Sequence, residues 1–335
     1  MNQIHIFIPK LLSPLKLWNK DFGFQVKSPV LSELLSSSIK KKNSHDQGLT
    51  TSLFTKLGHP KDSELPIAYY RYQLDFGSPP DTQIMCADPI NLQAGIDEII
   101  LNPEPINDLS KTDAEELISA LNKHFAQDGW EFISADSGNC YLKHQSNEAI
   151  STTPLDYAKG KSIFQHLPQS ETLNWHSLQN EMQMLLHMTS LNQTREMAGQ
   201  LPINSLWLWG AGKTSNLSHQ FDTILGGTES KAAALAAKIT HNTLKMPIQT
   251  PHTGRHIIVL NELYDYAVLD QYTHWQDALH RLEEEYISPI STRCKQKKIE
   301  LFINTCDGNE FQIKPKKSWA FWKKTSTDLL DISPK

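Results

Sequence analysis

The stretch LNQTREMAGQLPINSLWLWGAGK, residues 191–213, decides how the rest of the chain is read. Asn192 and Arg195 lie one helical turn apart at the end of an apolar helix. Gly199 and Pro202 then stop that helix, because glycine accepts the left-handed turn past a helix end and proline cannot continue one. Residues 203–209 read as a buried strand, and Gly210-Ala211-Gly212-Lys213 leaves it as a tight turn of small residues. Open α/β sheets bind ligands outside the carboxyl ends of their strands. The expected ligand site therefore comprises Asn192, Arg195, Asn204, Gly210, Gly212 and Lys213, with Arg195 and Lys213 supplying positive charge for an oxyanion. The competing structural reading pairs Arg195 with an acid such as Glu181 or Glu196 and spends the asparagines on turn backbone.

Further buried runs lie at residues 4–8, 255–262 and 299–304. With helical segments between them, they predict one mostly parallel sheet flanked by helices, an α/β fold that includes Ser205–Trp209. Residues 106–175 read as a small inserted α+β cap between core segments 1–105 and 176–335. Its helix opens with a capping box, Ser110 and Asp113, and buries Leu117, Ile118, Leu121 and Phe125. A hairpin follows around Asp136-Ser137-Gly138.

Elsewhere, Ser28-Pro29 caps a helix through Leu34-Leu35. Tyr69–Phe76 and Thr82–Asp88 read as strands. Ser177–Met188 is an amphipathic helix in which Met182 and Met184 fill the core. Trp275–Ile287 is a helix whose Glu283-Glu284-Glu285 forms a solvated face. The Lys40-Lys41-Lys42 run belongs to a solvated loop or an anion patch. The aromatic and lysine residues of 314–324 predict a docked terminal helix.

The chain has 335 residues, 39% hydrophobic and 21% charged, which suits a soluble globular protein. A net charge of -5 gives no general pull towards nucleic acid or anionic membrane. No apolar run approaches the roughly 18 residues of a bilayer span. The start carries no secretory signal pattern, so a cytoplasmic protein is expected. Four widely spaced cysteines without a C-x-x-C pair are expected as reduced thiols. Gly212-Lys213-Thr214 suggests a P-loop, but the first glycine of that motif would fall at Trp207, which cannot make the turn.

Asn192, Arg195, Gly199, Asn204, Gly210, Gly212 and Lys213 fit in register a segment of the archaeal-type, cofactor-independent phosphoglycerate mutases of the alkaline phosphatase superfamily. The phrase I-N-S-L-W-L-W-G, with Ala87-Asp88-Pro89, more closely resembles bacterial regulatory proteins of the Rpf (regulation of pathogenicity factors) E type. The resemblance implies an alkaline phosphatase-like core and a cap that closes over substrate. It also locates the family's functional positions. The first strand should end in a metal-binding Asp-Gly, but reads Pro9-Lys10. The nucleophilic hydroxyl falls at Thr50, Thr51 or Ser52. Of the later acidic and histidine ligands, Glu262 and Asp307 remain and the histidines do not. The expectation is a non-catalytic, mutase-like regulatory or ligand-binding protein with no metal and no cofactor. Its partner would be a phosphorylated small molecule or a protein, not nucleic acid or membrane. A metal-dependent mutase or phosphatase with an altered site is the alternative.

Overall fold

The computed structural model describes residues 2–42, 48–106, 108–144, 148–214, 217, 220–226, 230–240, 244–245, 253–297, 299–314 and 328–333. Beyond Lys314, the terminal helix expected over 314–324 lies outside the described residues. The chain forms two compact units, one of residues 1–61 with 217–335 and one of residues 62–216. The segment read as an inserted cap, 106–175, lies within the second unit, whose bounds are wider.

The first unit is built on a seven-stranded sheet. Its order is Leu244–Lys245, Thr223–Gly226, Arg255–Val259, Gln3–Phe7, Glu300–Asn304, Asn309–Ile313 and Ile39–Lys42. The first five strands run parallel, and Asn309–Ile313 pairs antiparallel with both of its neighbours, Glu300–Asn304 and Ile39–Lys42. Gln3–Phe7 is central, with Ile6 opposite Ile258 on one side and Ile303 on the other. Alternation then fixes the two faces. Ile4, Ile6 and Ile8 enter a core with Trp18, Trp275, Leu279 and Leu301, all but fully buried. His5 faces the opposite way, stacked on Phe302 with ring centroids 4.3 Å apart. Each buried isoleucine contributes roughly 1.5–3 kcal/mol on transfer from water, so truncating Ile6 would damage the sheet at its centre. The Lys40-Lys41-Lys42 run is part of an exposed edge strand rather than a loop. Its charges discourage strand addition by another chain.

The second unit carries a four-stranded antiparallel sheet: Trp130–Ser134, Cys140–His144, Gln83–Ile90 and Ser205–Trp209. Ser205–Trp209 was expected to share one mostly parallel sheet with residues 4–8, 255–262 and 299–304, and is instead paired antiparallel with Cys86–Ile90 in the second sheet. The reason is physical. Every residue of the strand is buried, and burial on both faces produces the same apolar run whichever partner lies alongside. Leu206 and Leu208 join the core of Leu121, Phe132 and Met182, while Trp207 donates from its Nε1 to Thr153 O at 2.8 Å.

Other local expectations are met or corrected. Ser110 and Asp113 form the reciprocal capping box of the Lys111–Phe125 helix. The hairpin turns at Gly138, φ 81°. Tyr69–Phe76, read as a strand, belongs to the helix Ile67–Phe76, which ends on left-handed Gly77. Its β-favouring tyrosines are overruled by tertiary contacts. Of the methionine pair, Met182 is fully buried but Met184 is 71% exposed. Glu283 is not on a solvated face. It is buried in a π-helical turn, Glu283–Ile287.

Candidate functional site

In the first unit, the carboxyl edge of the parallel strands is where an α/β fold presents side chains to a ligand. Gln3–Phe7 continues as Ile8-Pro9-Lys10, with Ile8 N donating to Asn304 O at 2.8 Å. Lys10 has φ 62° and Cys306 has φ 57°. Non-glycine residues in this region carry strain and favour functional or tightly determined turns. Both follow central strands. Cys306 is held by its N–H donating to Asn304 Oδ1 at 2.7 Å, and its carbonyl accepts from Gly48 N at 3.1 Å, at the start of the Gly48–Lys56 helix.

The remaining positions that the resemblance singles out gather around the same sheet edge without converging as a metal clamp. Thr50 and Ser52 are buried in the Gly48–Lys56 helix, and Ser52 Oγ donates to Gly48 O at 2.8 Å. Glu262 opens the Glu262–Val268 helix but is exposed. Asp307 turns into its own loop. Its Oδ1 accepts from Thr305 Oγ1 and from Asn309 Nδ2, the latter at 2.9 Å. Its Oδ2 is buried without a partner. A two-metal site needs several carboxylates and imidazoles aimed at common points. Among the described residues no three His, Cys, Asp or Glu side chains form such a group, and Pro9 offers no donor. The residues do not fit a bimetal clamp.

The six residues singled out at 192–213 lie in the second unit, where Ser205–Trp209 does not exit a parallel sheet. Asn192 Nδ2 donates to Leu186 O and Ile203 O, each at 2.8 Å, and its Oδ1 accepts from Ile203 N at 2.7 Å. Asn204 clasps Leu92 in the same two-sided way, at 2.7 and 2.8 Å. Arg195 is 2% exposed. Its Nε donates to Leu201 O at 2.8 Å and its Nη2 to Asp108 Oδ1 at 2.7 Å. Gly210, φ 72°, donates its N–H to Thr152 Oγ1 at 2.8 Å. A Cβ on Gly212 would lie 2.0 Å from Glu64 O. The bare glycines thus admit the chain's own 64–68 segment. Lys213 is exposed. The structure brings Asn192 and Arg195 together on one helix, both anchored to the following loop, sets Gly210 and Gly212 against the 64–68 segment, and leaves Asn204 on Leu92 and Lys213 exposed.

Three wholly or partly buried polar groups lie outside the residues that the sequence singled out. Glu64 accepts from Thr152 N at 2.9 Å and from Thr152 Oγ1. Burial raises its carboxyl to about 7, against the opposing effect of the Thr152 and Ala211 donors. Arg71 grips Asp88 with two bonds, at 2.8 and 3.0 Å, and Trp209 Nε1 donates to the same carboxylate at 2.6 Å. His5 has both ring nitrogens buried and unpartnered. Burial, then Lys56, Arg255 and Lys41, lower its pKa to about 2. A histidine inside an apolar strand was the only advance sign of any of these.

No family model matches the chain. A probable 2,3-bisphosphoglycerate-independent phosphoglycerate mutase of Geobacter sulfurreducens is 25% identical over 131 residues, 38% of this chain and 33% of that protein. The match thus spans a third of the length of that curated relative. Among solved structures, the cofactor-independent phosphoglycerate mutase from Thermoplasma acidophilum is similar at 12% identity, over 93% of this chain and 89% of that one, with a TM-score of 0.39. The PH0037 protein from Pyrococcus horikoshii is similar at 11% identity, over 94% and 87%, with a TM-score of 0.45. Among the described residues no helix is long and apolar enough to cross a membrane.

Proposed function

We propose that this chain is a non-catalytic relative of the cofactor-independent phosphoglycerate mutases, acting as a regulatory or binding protein towards a phosphorylated small molecule or a protein partner. One observation carries the reading. The central strand ends in Pro9-Lys10, where the resemblance calls for a metal-binding carboxylate. Proline has no ligand to give, and an ammonium group repels a cation. The partial match to the Geobacter mutase supports the kinship, and the dispersed Glu262 and Asp307 support the loss of chemistry.

The alternative, a metal-dependent mutase or phosphatase with an altered site, has one observation in its favour: the buried, unpartnered Oδ2 of Asp307. Turnover of 3-phosphoglycerate and of a generic phosphate monoester, with manganese or zinc supplied, separates the two. The expected result is no rate above the protein-free control and no stoichiometric metal by equilibrium dialysis. Turnover abolished in Asp307→Asn and Ser52→Ala would replace the binding reading with the enzymatic one.

A further inference from the structure

Met184, His187 and Met188 stand at i, i+3 and i+4 along the last turn of the Trp175–His187 helix and its cap. Side chains at these spacings share one helix face, with Cβ atoms about 5–6 Å apart. That face is turned to solvent: Met184 is 71% and Met188 74% exposed, and His187 is exposed with them. Apolar thioethers so placed contribute nothing to the core, which Met182 and Leu186 fill from the other side of the same helix. The His187 imidazole makes no hydrogen bond among the described residues, so both of its nitrogens are open to a ligand.

The donor set is selective. Two neutral thioethers and an imidazole are poor ligands for calcium or magnesium, which take oxygen donors. Soft sulfur donors select Cu(I) among the common biological cations, and Ag(I) shares its charge and filled shell. The helix supplies the missing counter-charge. Its C-terminus carries the negative end of the macrodipole, roughly half an elementary charge, and stabilises a cation held over the last turn. The carboxylate one turn earlier, Glu181, is engaged by Ser177 Oγ at 3.0 Å and by His124 at 3.8 Å. It leaves the face to the soft donors. Met197, 83% exposed, closes the separate Ser190–Met197 helix and serves as an internal control.

We infer that the C-terminal turn of the Trp175–His187 helix is a surface site for a soft monovalent cation of the Cu(I) class. The Met184 and Met188 sulfurs and one His187 nitrogen would ligate it. This site is independent of the mutase-like reading. The test is titration of the full chain, labelled at its methionine methyls, with Ag(I) alone, and with Cu(I) under anaerobic competition against bicinchoninate. One equivalent is expected to shift the Met184 and Met188 methyls and leave Met197 in place. The double variant Met184→Leu/Met188→Leu is expected to lose affinity by about tenfold or more, and His187→Gln by severalfold, with Met197→Leu unchanged. Leucine preserves size at exposed positions, so folding is not at issue. The four cysteines are buried and free, and thiol capture would appear as wild-type affinity in the double variant. That result, or a Met197 methyl moving in step with the other two, would overturn the site.

Discussion

The Arg195 guanidinium, 3% exposed, donates to the Asp108 carboxylate at 2.7 Å, although 87 residues separate them in the chain. This pair and Leu201 O engage Nη2 and Nε of the group that the sequence offered to an external oxyanion, while Nη1 is buried without a partner. The acid is Asp108, not Glu181 or Glu196. Breaking a buried ion pair costs several kcal/mol because one charge is left unpaired, but Asp108 is 43% exposed and water softens the loss. Asp108→Ala should therefore lower the unfolding free energy by about 1–2 kcal/mol in urea titrations. Arg195→Ala should do the same, and calorimetry with 3-phosphoglycerate should be indifferent to both. Phosphate binding weakened by Arg195→Ala in a variant that remains folded would restore the pocket.

Local physics made much of the fold legible. Ile4–Ile8, 255–262 and 299–304 were readable as strands because apolar residues bury on both faces of a parallel sheet, although the second ends at Val259. Ser110 announced its helix because a capping box is a four-residue signal. The partner of Ser205–Trp209 was not legible, since a run buried on both faces reads alike in either sheet. The same limit governs the site. Pro9-Lys10 could be read directly as a departure from the Asp-Gly that the resemblance implies. The destinations of Arg195, Asn204 and Gly212 depended on Asp108, Leu92 and Glu64, each far away in the chain, which local spacing does not encode.

His5 should make the first unit acid-sensitive. Its nitrogens are buried and unpartnered beside Lys56, Arg255 and Lys41, and its pKa falls from 6.5 to about 2. A lowered histidine pKa means that the unfolded chain takes up a proton the folded chain refuses. Stability is then lost as pH falls below 6.5, by up to about 1.4 kcal/mol per unit. His5→Phe keeps the stack on Phe302 and removes the titration. Relative to wild type, the variant should gain about 2–3 kcal/mol between pH 7.5 and pH 4.5 in urea denaturation. An equal difference at both pH values would show that His5 is not held neutral.

Glu64 works in the opposite sense. Its carboxyl is raised from 4.5 to about 7 by burial, despite the Thr152 and Ala211 donors. The folded state keeps the proton longer, so this contribution is fully present below about 4.5 and is lost as pH rises through about 7. Glu64→Gln is neutral throughout. Its stability relative to wild type should rise by roughly 1–3 kcal/mol between pH 5 and pH 8. Comparison with wild type at each pH cancels the contribution of His5. A difference that stays flat across this window would place the Glu64 titration near its ordinary range.

The Pro29–Ser36 helix is capped from the far end of the chain. Ser28 precedes Pro29 as a cap residue should, yet its hydroxyl makes no capping bond and its Oγ is buried without a partner. Proline has no N–H, so the first donor the helix leaves open is Val30 N. That donor reaches Glu283 Oε1 at 2.7 Å, and the carboxylate also sits favourably at the positive end of the helix dipole. Burial raises the Glu283 carboxyl above its ordinary range, against the Val30 and Leu31 donors, so carrying the charge is costly there. The π-helical turn begins at Glu283, the residue whose side chain this contact holds inward. Glu283→Gln keeps an acceptor for Val30 and sheds the charge, and should cost under about 1 kcal/mol. Glu283→Ala leaves a helix donor unsatisfied and should cost about 1–2 kcal/mol. Ser28→Ala removes only an orphaned hydroxyl and should be neutral or slightly stabilising. Chemical denaturation of the three variants decides it: a Ser28→Ala loss as large as that of Glu283→Ala would return the cap to serine.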